Sequence, residues 1–321
     1  MRKSIRILLV IVTFVLLTCC YKGSTVKSTI SNNTSSTTPK ACNSKLTSRA
    51  AKIGDYYPFE KGTKYMYTGA GNEYNTYSVY VDYLMGNREQ IIVNNGGTEA
   101  IKVLENKDGE LRLISSKNEI YYRENFTYQI NNNPEILLKQ PLTKGTSWTL
   151  KDGSKRTITN VKVAIRTPLA SYECIEVTTV RKETTSKDYY AANIGLVKTM
   201  YTNDGKVTSS LSKIEKKIPL VQTVKFYYPN EKNSMNYVTD KKLSFNTNDI
   251  TRKIFENYLR EVPNNNVGKL ISDNTKIKSL YLNKDNMVYL DFSKEFTQEM
   301  NAYSAYENQI LQCITNTFGD Y

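Results

Sequence analysis

Between Tyr56 and Ile214 the chain is a succession of short apolar runs punctuated by Asn/Asp-Gly turns, and this pattern narrows the fold most. Strand-like runs lie around Tyr74, Val79, Val81 and Tyr83, at 90–93, 111–113, 120–122, 158–165 and 174–180. Between them fall Asn94-Asn95-Gly96-Gly97, Lys107-Asp108-Gly109, Lys151-Asp152-Gly153 and Asn203-Asp204-Gly205. Val, Ile and Tyr fit a pleated surface, and Asn-Gly or Asp-Gly supplies the left-handed backbone that tight hairpins need. Such a run predicts an antiparallel meander, curved or closed to an open barrel. The residue types agree, with 25 Tyr against 9 Phe and 1 Trp. No segment in this stretch has a helical period. One phrase recurs, at Pro58, Lys61, Gly62, Thr63 and Tyr65 and again at Pro141, Lys144, Gly145, Thr146 and Trp148. Each copy reads as a glycine turn that opens a strand, and a shared local solution is preferred to a duplication.

After Ile218-Pro219 the pattern changes. VQTVKFYY over 221–228 is a strand closed by Pro229. Residues 249–261 form an amphipathic helix with Ile250, Ile254, Phe255, Tyr258 and Leu259 on one face. Asp249 is placed to cap it and Pro263 to stop it. Strands follow at 277–282 and 287–292. A last helix opens on a capping box, Ser304 with Glu307, and buries Tyr306, Ile310, Ile314 and Phe318. The order β, α, β, β, α implies an α+β layer with both helices on one sheet face. The fold class is therefore mostly β, then α+β. A β-rich module spans 53–216 and a smaller module spans 217–321.

The N-terminus sets the compartment. Arg2, Lys3 and Arg6 precede an apolar run of 11 residues, Ile7 to Leu17. A spanning helix needs ~20, so residues 1–19 read as a signal peptide. The run closes on Leu17-Thr18-Cys19-Cys20, which resembles a bacterial lipobox. The resemblance implies lipidation at Cys20, with Cys19 as the alternative. Two acyl chains hold a protein at a membrane at ~0.8 kcal/mol per buried CH₂. Residues 20–52 are rich in Ser, Thr and Asn, and cannot bury enough surface to offset ordering entropy. They read as a flexible basic tether, and the first acidic residue of the chain is Asp55. Its lysines serve either attraction to anionic lipid or plain solubility.

Charge and composition remove most enzymatic chemistry. The chain has 44 Lys+Arg, 31 Asp+Glu and 0 His, a formal charge of +13. Loss of residues 1–19 takes away three positive charges and no negative one, which leaves +10. Without histidine there is no Ser-His-Asp or Cys-His pair and no imidazole metal ligand. No catalytic residue set, cofactor motif or metal motif is present. Cys42, Cys174 and Cys313 match no metal spacing and read as isolated thiols. Asp291 reads as a loop-capping residue and Glu119 and Glu124 as solvated strand charges. Alternate Tyr residues read as strand packing, and a ligand-binding face is the alternative. A nucleic-acid partner conflicts with export. Anionic lipid or wall polymer is the better use of the positive charge.

Two resemblances follow from these residues. YYPFEKGTKY at 56–65 and YYAANIGLVK at 189–198 resemble the framing phrases of β-rich modules in extracytoplasmic lipoproteins. Residues 221–321, with VKFYYP, ENYLREVP, Leu290-Asp291-Phe292-Ser293 and Glu307 to Thr315, look like the GerMN domain of sporulation and germination proteins. That family's pattern continues into a further strand where this chain stops at Tyr321. The resemblance implies a lipid-anchored protein on the extracytoplasmic face of a bacterial cell membrane, without catalytic residues. Its expected partners are the membrane, through the N-terminal lipid, and other envelope proteins. The leading expectation is an interaction or assembly component. The alternative is a ligand-binding lipoprotein whose curved sheet holds a hydrophobic or glycan ligand, and a cell-wall hydrolase ranks below both. An enclosed cavity in the β-module would favour the ligand reading.

Overall fold

The turn signals produce hairpins. The computed structural model describes residues 49–201, 207–230, 232, 235–300 and 304–321. A short helix α1 (Ile53–Tyr56) precedes six strands: β1 (Thr63–Ala70), β2 (Tyr77–Met85), β3 (Arg88–Asn94), β4 (Glu99–Lys107), β5 (Glu110–Asn118) and β6 (Glu135–Lys139). Six more follow: β7 (Ser147–Thr149), β8 (Lys155–Arg166), β9 (Ser171–Val180), β10 (Thr185–Ala191), β11 (Gly195–Tyr201) and β12 (Val207–Lys216). Asn94 to Gly97 turns β3 into β4, and Lys151 to Gly153 turns β7 into β8. Asp108 and Gly109, both at positive φ, turn β4 into β5. The signal at 203–205 lies outside the described residues.

All twelve strands form one antiparallel sheet, in the order β6-β5-β4-β3-β2-β1-β12-β11-β10-β9-β8-β7. Neighbours in sequence are neighbours in space, and β1 pairs with β12. The sheet therefore curls into a nearly closed barrel whose only unpaired neighbours are β6 and β7. Side chains bridge that gap. Trp148 donates its indole N–H to the Ile136 carbonyl at 3.0 Å. Arg156 donates to the same carbonyl at 2.5 Å and to Glu135 at 2.6 Å. The repeated Lys-Gly-Thr phrase stands before β1 and again before β7, so each copy opens one six-stranded half. In both copies the glycine is left-handed, with φ 63° at Gly62 and 94° at Gly145. That conformation costs a side-chain-bearing residue more than glycine.

α1 and its flanks lie across one end of the barrel. Gln140 donates to the Ala51 carbonyl at 3.1 Å, and Asn193 donates to the Asp55 carbonyl at 2.6 Å. Ile53 is buried in the barrel core with Tyr67, Leu104, Leu138 and Val197. Residues 120–122 are not a strand. Glu119 leaves β5 at φ 58°, and the loop that follows covers an outer apolar patch of Ile92, Ile101, Val103 and Ile114 with Phe126.

The C-terminal part holds β13 (Leu220–Tyr228), β14 (Tyr237–Phe245), α2 (Thr251–Arg260), β15 (Ile277–Leu282), β16 (Val288–Phe292), α3 (Glu295–Gln298) and α4 (Ser304–Gly319). β13 pairs with β14 and β15 with β16, as two separate hairpins. They share a core of Phe226, Tyr228, Phe245, Phe255, Leu259, Ile310, Cys313 and Phe318. Strand β14 and helix α3 add to the expected element order. Asp249 does not cap α2. The cap position is Ile250, with no side-chain hydrogen bond, and Asp249 instead accepts from the Asn246 backbone at 2.7 Å. The side chain of Ser304, and so the expected capping box, lies outside the described residues. Cys174 and Cys313 are buried free thiols, and Cys42 lies outside the described residues. Among the described residues no helix is long and apolar enough to cross a membrane.

Candidate functional site

The inward positions of the barrel do not fill it. They enclose a chamber of about 770 Å³ lined by residues of the first five strands, of β6 and of β8, β10, β11 and β12. The lining follows from strand alternation. On β3 the inward residues are Glu89, Ile91 and Val93, and on β4 they are Ala100, Lys102 and Leu104. On β10 they are Ser186, Asp188 and Tyr190. Rings of Tyr57, Tyr65, Tyr67, Tyr77 and Tyr190 supply much of the remaining wall. The chamber opens beside Tyr74, Asn95, Asn118 and Tyr201, at the end opposite α1.

Ionisable groups concentrate inside. At the α1 end, Glu89 is 2% exposed, and burial pushes its carboxyl well above the ordinary range. Tyr57 and Tyr65 face it, and burial first and the Glu89 charge second raise both phenols. Tyr67 lies beside them and donates to the Leu196 carbonyl at 2.8 Å. Further along, Lys102 stands opposite Ile91 on the neighbouring strand. Burial lowers its ammonium pKa, against the pull of Glu135 and Asp188. Burial likewise raises Asp188, opposed by the Thr199 hydroxyl, which donates to it at 2.7 Å, and by Arg156 and Arg181. Among the described residues Glu89 and Lys102 make no hydrogen bond or ion pair with the protein. The chamber thus offers a donor, an acceptor and aromatic faces to something other than the protein.

The sequence-derived candidates lie elsewhere. Cys20 and Cys19 lie outside the described residues. Asp291 is exposed on β16, 3.7 Å from Lys278. Glu119 and Glu124 belong to the loop after β5 rather than to a strand, and neither lines the chamber. Sequence reasoning passed over Glu89, Lys102 and Asp188. The signal for Glu89 and Lys102 is parity: each occupies a strand face that otherwise carries apolar residues, as Glu89 does before Ile91 and Val93, whereas Asp188 shares its face with Ser186 and gives no such signal. Among the described residues no group of three acidic or cysteine side chains is placed to hold a metal ion.

A second feature joins the barrel to the C-terminal hairpins. Arg123, from the loop after β5, donates to Asp82 on β2 at 2.6 Å, to Thr251 at 3.2 Å and to the Asp249 carbonyl. Its guanidinium lies 4.3 Å from the Tyr83 ring centre. The backbone N–H of Arg123 donates to the Tyr321 hydroxyl at 2.9 Å. Residues 225–321, which contain these hairpins except the first five residues of β13, match the model of the Germane family, described as sporulation and spore germination. The resemblance read from the C-terminal sequence therefore holds over this segment.

Two solved structures are similar to the chain. One is described as an exported protein with a YmcC-like fold from Bacteroides fragilis NCTC 9343, at 14% identity and a TM-score of 0.31. The match covers 50% of this chain and 99% of that one. The other is described as a lipoprotein from Parabacteroides distasonis ATCC 8503, at 14% identity and a TM-score of 0.29, covering 50% of this chain and 98% of that one. No curated protein matches the chain.

Proposed function

We propose that the chain is a non-catalytic, lipid-anchored component of a bacterial envelope, on its extracytoplasmic face, whose barrel binds a small ligand. The observation that carries the ligand reading is the chamber, whose about 770 Å³ falls within the usual size of ligand sites. Its lining of charged groups and tyrosines suits a polar ligand better than a purely hydrophobic one. The anchor rests on the basic and apolar leader that ends at Cys19-Cys20. The sporulation or germination setting rests on the Germane match at 225–321. Absence of catalysis rests on a chain with 0 His. A ligand should raise the melting temperature of the full-length chain saturably. Ile91→Trp, which places an indole in the chamber, should abolish that rise while the unliganded variant still melts cooperatively. Equal stabilisation of both forms would remove the chamber from the function.

A second reading, contact with other envelope proteins, draws on the β15–β16 hairpin. Tyr281, Met287, Val288 and Tyr289 there are each more than 40% exposed. Tyr281→Ser with Met287→Ser should weaken recovery of cross-linked envelope partners and leave ligand stabilisation intact. Unchanged recovery would remove the hairpin from that role.

A further inference from the structure

Five acidic residues are buried in the described chain: Asp82, Glu89, Glu105, Glu176 and Glu256. Four have partners. Asp82 accepts from Arg123 and Gln90. Glu105 accepts from Arg88 at 2.9 Å. Glu176 accepts from Thr159 at 2.6 Å and from Lys187 at 3.2 Å. Glu256 accepts from the Ile277 backbone at 2.8 Å. Glu89 alone has no protein partner. Two cations of the chamber are engaged elsewhere: Arg156 is held by Glu135 and the Ile136 carbonyl, and Arg181 lies by Ser186. Among the described residues Lys102 has no bonded partner, and the charges that act on it are Glu135 and Asp188, not Glu89. An unsatisfied buried polar group is destabilising, and a leucine would fill the same inward position without that cost.

We infer that the closed end of the chamber receives the ammonium group of an organic amine, with Glu89 as its counter-ion and the rings of Tyr57, Tyr65 and Tyr67 as its wall. The inference rests on the reading of the chamber as a ligand site. A charge buried in a folded protein is held beside an opposite charge, and an ammonium over tyrosine faces gains further attraction from the ring quadrupoles. A neutral hydroxyl ligand needs no ionisable partner, and an anionic ligand is repelled once Glu89 ionises. The titratable groups that face Glu89 are the hydroxyls of Tyr57, Tyr65 and Tyr67. Lys102 stands one inward position further along. The proton balance is simple. An ammonium ion enters, the Glu89 carboxyl gives up its proton to solvent, and the carboxylate and ammonium remain as a pair. No covalent bond forms.

The test uses the full-length chain in detergent and three probes of one shape: benzylamine, benzyl alcohol and benzoate. Calorimetric titrations at pH 7, in two buffers of different ionisation enthalpy, give both affinity and protons released. Benzylamine should bind saturably and release up to one proton per chain. Glu89→Gln should weaken it at least tenfold and abolish the release, with a melting temperature that shows the variant folded. The proton count on the unsubstituted chain stands even if that variant fails to fold. Binding of benzyl alcohol or benzoate as tight as that of benzylamine would keep the chamber as a site and overturn the amine. Benzylamine binding without proton release, or unchanged in folded Glu89→Gln, would overturn the role of Glu89. Binding of none of the three would overturn the chamber itself.

Discussion

Arg123 and Asp82 form an ion pair in which neither side chain retains any exposed surface, and it stands where the barrel meets the Germane segment. Asp82 belongs to β2. Arg123 spends its other donors on Asp249, Thr251 and the Asn246 carbonyl beyond residue 245. Nearby, Tyr80 donates to the Phe245 carbonyl at 3.1 Å, and Thr247 donates to the Val81 carbonyl at 2.7 Å. One guanidinium thus ties a barrel strand to the polypeptide leading into α2.

Removal of one partner of a buried pair strands the other, typically at about 3–5 kcal/mol. Arg123→Ala is expected to destabilise the chain on that scale. Calorimetry should show two transitions in the variant against one in the unsubstituted chain, as the barrel and the Germane segment lose their tie. The paired change Asp82→Leu with Arg123→Met should recover most of the loss, because it strands no charge. Residues 53–216 contain all twelve strands of the large sheet. Expressed alone they are expected to melt cooperatively, at a lower temperature than the whole chain. An aggregated product would show that the two segments share one folding unit.

Stability should carry a pH signature from two buried carboxyls. Burial raises Asp82 from 3.8 to about 6, opposed by Arg123 and Gln90, and burial raises Glu89 well above 4.5. A raised carboxyl means that the folded state holds its proton more tightly than the unfolded chain. Its stabilisation is therefore complete below the unfolded pKa and is lost as pH rises through the folded one. The Asp82 contribution falls between about pH 4 and pH 6, and that of Glu89 falls from about pH 4.5 upward. Glu89→Gln should flatten the upper part of the profile and stabilise the unliganded protein at neutral pH, because the amide has no proton to lose as pH rises. Urea midpoints across pH 4 to 8 check both. A profile unchanged in Glu89→Gln would contradict the assignment.

Local chemistry made the hairpins legible and left the site hidden. Asp108-Gly109 names its turn because only a left-handed pair closes that hairpin, and the alternation around Val79 and Val81 names a half-buried strand. Strand β14 escaped because Asp240, Lys241 and Lys242 give it the polarity of a linker; its pairing partner β13 supplies the order. Residues 120–122 have strand composition, yet Glu119 turns the chain and Arg123 draws it to the seam, so tertiary contacts override local preference. Arg123 and Asp249 are 126 positions apart, and no local pattern links them. Glu89 was readable in principle, as a charge on the apolar parity of β3. Its lack of a partner is a property of the closed barrel alone.

Membrane attachment is expected to depend on the cysteine pair at the end of the apolar leader. Cys20→Ala should shift the protein from the membrane fraction to the medium, since the acyl chains supply most of the membrane affinity. Retention of Cys20→Ala with Cys19 intact would assign the lipid to Cys19. Retention of the double substitution would exclude a lipid anchor at either residue.

The one tryptophan reports on the barrel's weakest join. Trp148 and Arg156 both bond the Ile136 carbonyl across the gap between β6 and β7, where no strand-to-strand ladder exists. Arg156 is 5% exposed and also donates from its Nε to the Thr179 hydroxyl at 3.1 Å. Arg156→Met keeps the length of the side chain and removes these bonds. Hydrogen bonds to a charged group contribute about 1.5–3 kcal/mol, so the variant should lose stability on that scale. Because the lost bonds include those to Glu135 and Ile136 on β6, the gap should widen and admit water. Emission from Trp148, which is 7% exposed, should then move to the red before global unfolding begins. A stability loss with unchanged emission would mean that Trp148 alone holds the two edges together.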